Sequence, residues 1–383
     1  MGRKGCPKWF PKWFPNVGSV PSGTPPSSPA AGPMPTHPLL CGYYGEHNLG
    51  DDALLTALLA QLPSGCDPLV TAFDQEEVER CFGVRTVDRR SLAAVLQALG
   101  GCDALVLGGG SLLQDVTSFG SLIYYAALIL RARLAGLPVL LWGQGLGPLR
   151  RRRSRLLVQR LLPLVQGITW RDAGSAALAA EWGVQAAVGS DPVWSLPAQS
   201  WQGPGGPIVL CWRPTQLLTN SGWALLLQAL DKVAHRLDRP VHWLPFHQEQ
   251  DAGLLQELKE RGLLPPGLEA RSLELQVRNP QEACAQFHGA ALVVSMRLHG
   301  LILAALAGAP CAALSYDPKV KRAADALACP CLDLEATAME GHQAGPLEQS
   351  WLSAAENPPA AATIEHLRQQ TAVHAALLHQ QLG

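Results

Sequence analysis

The stretch Val293-Val294-Ser295-Met296-Arg297-Leu298-His299-Gly300 decides how this chain is expected to fold. A short β-branched apolar run has strand character, and it ends in Arg and His two residues apart, where the apolar spacing of a helix begins. That is one βα step. The same alternation recurs from His37 onward, so an α/β protein with mostly parallel sheets is expected.

Strands are predicted at 39–43, 68–72, 104–107, 138–142 and 168–170. Helices are predicted at 51–61, 75–81, 91–99, 118–135 and 151–165. The rhythm breaks at 197–207, a segment too rich in Pro and Gly to continue either element. It restarts with strands at 208–212, 241–244, 291–295 and 311–315 and helices at 222–236, 249–261, 280–287 and 299–307. Two Rossmann-like βα-repeat lobes, 38–196 and 208–345, are therefore expected to face a cleft, with a helical segment at 346–383.

At 383 residues the chain exceeds the ~100–200 usual for one domain, which agrees with two lobes. The apolar share of 48% and charged share of 16% argue against a disordered chain, and a net charge of −1 gives no bulk attraction to polyanions. Ten cysteines without a Cys-x-x-Cys read as reduced core thiols, and no metal-ligand spacing is present. Residues 1–37 are rich in Pro, Gly and Ser and repeat Lys-Trp-Phe-Pro at 8–11 and 12–15, so a disordered tail is expected. The apolar run at 122–130 stops at Arg131 and Arg133, short of the ~20 residues of a membrane span.

Open α/β sheets bind ligands at the carboxyl ends of their strands, so the polar clusters that follow apolar runs are the candidate sites. After the first strand comes Gly42-Tyr43-Tyr44-Gly45-Glu46-His47-Asn48-Leu49-Gly50-Asp51-Asp52, where Asp51 is expected to cap the next helix. Asn48, Gly50 and Asp51 are candidate binding residues, since a helix opening from a Gly-rich turn suits an anion or sugar oxygen. Gly108-Gly109-Gly110-Ser111 and Gly143-Gln144-Gly145-Leu146-Gly147-Pro148 repeat the pattern and add Gly109, Gly110, Ser111, Gln144 and Gly145. The run Arg150–Arg153, with Arg151 the candidate contact, opposes the dipole of the helix it starts and suggests a cationic surface facing an anion or lipid phosphate. Arg171-Asp172 and Asp191-Pro192 close the first lobe, with Asp172 read as a cap and Asp191 as a turn former or ligand contact.

At the opening stretch, Arg297 can offer a bidentate fork to a carboxylate or phosphate, and His299 can move a proton near neutral pH. The next strand end, Ser315-Tyr316-Asp317-Pro318-Lys319, adds Tyr316 and Lys319, one of four lysines after residue 37. Ser295 is a further candidate contact. Templates for P-loops, nucleophile elbows, zinc proteases and dinucleotide folds are absent.

Taken in order, these motifs resemble the polysaccharide pyruvyl transferase family, specifically its CsaB-type branch, over residues 39–325. The resemblance implies a glycosyltransferase-B-like fold and transfer of the pyruvyl group of phosphoenolpyruvate to a sugar as a cyclic ketal. The acceptor it implies is a cell-envelope glycan, with lipid-linked N-acetylmannosamine the best-known type. His299 would then be general acid/base, Arg297 and Lys319 would clamp the donor, and the Gly-rich helix starts would face the acceptor. No cofactor is implied beyond phosphoenolpyruvate as donor substrate. A lipid-linked acceptor would bring the protein to the cytoplasmic face of the membrane, where the Arg150–Arg153 run fits a peripheral contact. Two other readings share the fold: a nucleotide-sugar glycosyltransferase, for which Glu335 and Glu340 are weak ribose contacts, and a non-catalytic glycan-binding protein.

Overall fold

The computed structural model describes residues 36–116, 118–334 and 343–383. The Lys-Trp-Phe-Pro repeat, Glu335 and Glu340 lie outside them. The first lobe holds β1 (Pro38–Tyr44), β2 (Leu69–Ala72), β3 (Arg85–Asp88), β4 (Ala104–Gly108), β5 (Val139–Gln144), β6 (Gly167–Trp170) and β7 (Ala187–Val188). The second holds β8 (Ile208–Cys211), β9 (Val241–Trp243), β10 (Ser272–Glu274), β11 (Leu292–Ser295), β12 (Cys311–Ser315) and β13 (Cys331–Asp333). They form a 7-stranded sheet ordered β3-β2-β1-β4-β5-β6-β7 and a 6-stranded sheet ordered β10-β9-β8-β11-β12-β13.

Neighbouring strands run parallel in both sheets, as in β1 with β4 and β8 with β11. Helices on both faces then bury the central strands from two sides, which is why β4, β5, β8, β11 and β12 are continuous buried runs. In each sheet the strand order reverses once, between β1 and β4 and between β8 and β11. A ligand crevice opens at such a reversal, outside the carboxyl ends.

The expected two-lobed α/β fold is therefore present, with differences of detail. All nine predicted strands form, and the four unforeseen ones, β3, β7, β10 and β13, are the edges of the two sheets. The helix expected over 249–261 is two, Gln248–Asp251 and Leu254–Glu260, separated at Gly253, whose φ of 83° interrupts the first helix. Asp51 does not cap the first helix, Leu49–Gln61; Asn48 does, through its side-chain oxygen on the Gly50 amide.

The C-terminal segment divides between the lobes. Helix Ala344–Glu356 inserts Trp351 beside Trp212, which also meets Trp223 and Trp243, in the second core. Helices Ala361–Gln370 and Ala372–Leu382 return to the first sheet, where His374 is fully buried. Its Nδ1 lies 2.8 Å from Thr169 Oγ1 and its Nε2 2.8 Å from the Ser190 carbonyl. Thr169 Oγ1 already accepts from the Gly143 amide, so its hydrogen goes to Nδ1, and Nε2–H donates to Ser190. The Thr169 contact, in which Nδ1 accepts, needs the neutral ring. Burial accordingly lowers the His374 pKa, with the Ser190 contact and Asp191 pulling the other way.

A histidine held neutral binds fewer protons in the fold than in the unfolded chain. Its contribution is whole above its ordinary 6.5 and is lost as pH falls toward the lowered folded value. Denaturant unfolding of His374→Ala should therefore show a loss of about 1–3 kcal/mol for each polar partner left unpaired at neutral pH. The variant's acid destabilisation should be shallower than that of the wild type.

Candidate active site

Four helices begin at the crevice between the lobes: Leu49–Gln61 and Ala173–Ala180 from the first, and Leu298–Leu306 and Pro318–Leu327 from the second. Their amino ends carry unpaired N–H groups and positive dipole ends, so the crevice favours negative charge before any side chain is counted. The first and third of these helices meet closely. A Cβ on Gly50 would lie 2.3 Å from His299 Nδ1, so the imidazole occupies the space a side chain there would need.

The other ring nitrogen, His299 Nε2, is buried without a hydrogen-bond partner among the described residues and stands 3.5 Å from Asp191 Oδ2. Asp191 lies on the connection after β7. Its carboxylate accepts from Arg171 Nη1 at 3.1 Å and from the Val193 amide at 3.1 Å. Burial pushes the Asp191 carboxyl up, but His299, Arg171 and the Val193 amide outweigh it and hold the group well below the ordinary carboxylate range. Asp191 is thus an anion beside the histidine.

Arg171 is buried at the end of β6 and bridges further, donating from Nη2 to Ser111 Oγ at 3.0 Å. It crosses directly over Gly145, where a Cβ would come within 2.8 Å of its Nε. On the other side of His299, Asn48 donates to Asp51 at 2.6 Å. Burial lifts the Asp51 carboxyl to about 6, against the pull of His299, Arg89, Arg171 and that hydrogen bond.

A cleft of about 170 Å³ adjoins this constellation, lined by Arg171, Asp191, Leu298, Lys319, Arg322 and Gln370 among others. It draws on both lobes and on the returning C-terminal helix. Burial and the nearby Arg171 charge lower Lys319 to about 8, offset in part by Asp317 and Asp172. Asp317 and Asp172 each cap their own helix, on the amides of Lys319 and Ser175.

Sequence-predicted residues that meet at the crevice are Asn48, Gly50, Asp51, Ser111, Gly145, Arg171, Asp191, His299 and Lys319. Others have structural commitments. Arg297, expected to offer its fork to an anion, presents Nε and Nη2 to the buried carboxylate of Asp251, with Nε to Oδ2 at 3.0 Å. Ser295 Oγ donates to the Arg297 carbonyl at 2.8 Å and accepts from the Arg297 amide at 3.1 Å. Gln144 gives its amide to the Leu107 and Gly109 carbonyls. Gly109 and Gly110, at φ 59° and 76°, shape the loop, and the Gly110 carbonyl accepts from the Gly145 amide. Tyr316 faces Arg213, whose Nη1 lies 3.4 Å from its hydroxyl. Arg151 begins helix Arg152–Leu161 with its amide on Asp115, and its side chain is exposed.

Three contributors escaped the sequence reading: Asp251, Arg213 and Arg322. Arg213 follows strand β8 at the sheet's reversal point, a position that could have marked it. The one metal-like grouping among the described residues is His47 with Asp74 and Glu77, which sequence spacing did not suggest. Its imidazole Nδ1 stands 3.0 Å from Glu77 and its Nε2 3.8 Å from Asp74.

A family model described as polysaccharide pyruvyl transferase matches residues 48–318. No curated protein matches the chain. Among solved structures, a putative UDP-N-acetylglucosamine 2-epimerase from Listeria monocytogenes superposes with a TM-score of 0.57 at 12% identity, covering 90% of this chain and 94% of that one. The UDP-GlcNAc 2-epimerase from Neisseria meningitidis gives 0.54 at 10% identity, covering 91% and 99%. The glycotransferase of kitacinnamycin gives 0.53 at 14%, covering 92% and 100%. At these identities the likeness is one of fold.

Asp251 also accepts the amides of Phe246 and His247, at 3.1 and 2.9 Å. Removing one member of a buried ion pair leaves an uncompensated charge, so Asp251→Ala should lower unfolding free energy by about 3–5 kcal/mol in urea titrations.

Proposed function

Because the chain belongs to the polysaccharide pyruvyl transferase family, we propose that it transfers the pyruvyl group of phosphoenolpyruvate to a sugar of a cell-envelope glycan as a cyclic ketal. The observation that carries this reading is His299 Nε2, buried without a hydrogen-bond partner beside ionised Asp191 where cationic groups and helix starts converge. Lipid-linked N-acetylmannosamine, the acceptor type of the CsaB-type branch, is the acceptor we put forward.

Each bond change can be assigned. A proton adds to the donor's methylene carbon, and positive charge develops at the carbon bearing carboxylate and phosphate. One sugar hydroxyl adds there and loses its proton; the carbon–oxygen bond to phosphate breaks, and a second hydroxyl closes the ketal. Of the two hydroxyl protons, one is balanced by the new methyl group and the other leaves with phosphate. No oxidant or reductant enters, and the reading invokes no cofactor.

His299 moves these protons, with Asp191 stabilising the imidazolium and Gly50 leaving space for the ring. Asp51, whose carboxyl lies near 6, stands on the face that would receive acceptor hydroxyls. Lys319, Arg171 and Arg322 are the proposed donor contacts. Arg297 holds the strand end in place through Asp251, which narrows its role from clamp to positioning residue.

General acid–base work typically contributes about 10²–10⁴-fold, so His299→Ala should lose that much turnover of phosphoenolpyruvate. Gly50→Ala should approach the same loss by displacing the ring, whereas Gly289→Ala, where a Cβ meets nothing within 4 Å, should leave turnover unchanged. Phosphate release with a panel of acceptor glycosides, read also by product mass, measures both. An unchanged rate in His299→Ala would remove it from the mechanism.

Lys319 carries its charge below about 8 and loses it above. The KM for phosphoenolpyruvate should therefore rise as pH passes that value. Lys319→Arg, whose guanidinium stays protonated, should abolish that rise even if its KM is higher throughout.

A further inference from the structure

Between Phe119 and Leu161 the chain carries eight arginines and no Asp or Glu, against a whole-chain net charge of −1. All eight, Arg131, Arg133, Arg150, Arg151, Arg152, Arg153, Arg155 and Arg160, are exposed. The same stretch and the loop before it hold five of the eight most exposed large apolar residues described: Val116 55%, Ile123 45%, Leu130 46%, Leu134 86% and Leu156 53%.

These features coincide in space. Helix Phe119–Leu134 places Ile123, Leu130 and Leu134 on one face by their spacing of seven and four, and Arg131 and Arg133 fall on either side of that stripe. Helix Arg152–Leu161 lies alongside, since the Arg153 guanidinium sits 4.0 Å over the Phe119 ring. Its exposed Leu156 is surrounded along the helix by Arg152, Arg153, Arg155 and Arg160. Among the described residues this face makes one ion pair, Arg155 with Glu181 at 4.0 Å.

We propose that this face docks on an anionic lipid bilayer, with the leucine stripe entering the interface and the arginines meeting the headgroups. An amphipathic surface of this kind binds through buried apolar area together with attraction to anionic lipid. A second copy fits worse, because a two-fold contact would set eight like charges against eight. A nucleic acid would engage the arginines but leave the leucines in water. Binding to the bilayer does not depend on the reaction proposed above.

Full-length protein is sedimented at low salt with vesicles of phosphatidylglycerol and phosphatidylcholine in equal parts, and with phosphatidylcholine alone. Strong binding is expected only on the former. Arg133→Gln, Arg152→Gln and Arg160→Gln should each reduce partitioning roughly five-fold. The double variant L130S/L134S should reduce it by about tenfold or more, with thermal unfolding unchanged because both sites are exposed. Failure to sediment with the anionic vesicles would overturn the proposal. So would wild-type binding by L130S/L134S, which would move the contact to a bare polyanion surface or to the Lys-Trp-Phe-Pro repeat at 8–15. A dimer that L130S/L134S abolishes, in protein that does not bind vesicles, would assign the stripe to a second copy instead.

Discussion

The geometry of the crevice depends on one buried ion pair, Arg297 with Asp251. Asp251 also gathers the amides of Phe246 and His247, and the loop they belong to bonds across the lobes through Phe246 and Gln248: the Leu49 amide donates to the Phe246 carbonyl at 2.9 Å, and the Gln248 amide to the His47 carbonyl at 3.0 Å. The end of β11 is thereby tied to the loop after β9, and that loop to the start of the first helix. His299 and Gly50 sit at the two ends of this chain of contacts. Their close approach follows from backbone pairing on either side of the lobe junction, which orients a histidine more rigidly than a flexible side-chain contact would.

Electrostatics at the crevice are set by unequal environments for two carboxylates. Both Asp51 and Asp191 are near His299, and burial pushes both upward. Asp191 has His299 at close range, then Arg171 and a backbone amide, so it stays ionised; Asp51 feels His299 by charge alone, has Asn48 and more distant charges besides, and rises to about 6. Two acids held at different protonation tendencies around one imidazole permit proton delivery and removal at the same centre. Arg171 links this arrangement to the Gly-rich loops, since its second contact, Ser111, ends the glycine run after β4.

The legibility of the sequence followed burial. Central strands such as Ala104–Gly108 are covered on both faces and appear as apolar runs, while each unforeseen strand lies at an edge, where Arg85–Asp88 or Ala187–Val188 has no such run. The Arg-x-His strand end was visible because its residue types are unusual after an apolar run. Its partner Asp251 was not, since 249–261 reads as one helix until Gly253 breaks it. Nor could spacing show that Arg297 would face inward to a carboxylate, because that pairing joins residues 46 apart in sequence. The role of His374 was equally hidden: nothing local to an Ala- and Leu-rich helix shows that its imidazole will support Ser190, the residue before Asp191.

The arginine face and the crevice are connected through one loop. After the glycine run of β4, Ser111 turns inward to Arg171, and four residues later Asp115 accepts the amides of Arg150 and Arg151 at 2.8 Å each. That carboxylate places a negative charge just ahead of a helix start which four arginines would otherwise make unfavourable, and so permits the cationic run to begin at the carboxyl edge of the first sheet. The segment 111–115 thus fixes both the inner wall beside Asp191 and the outer cationic surface. A glycan presented from an anionic surface would then meet the first lobe's helix starts, while Lys319 and Arg322 close the opposite side from the second lobe.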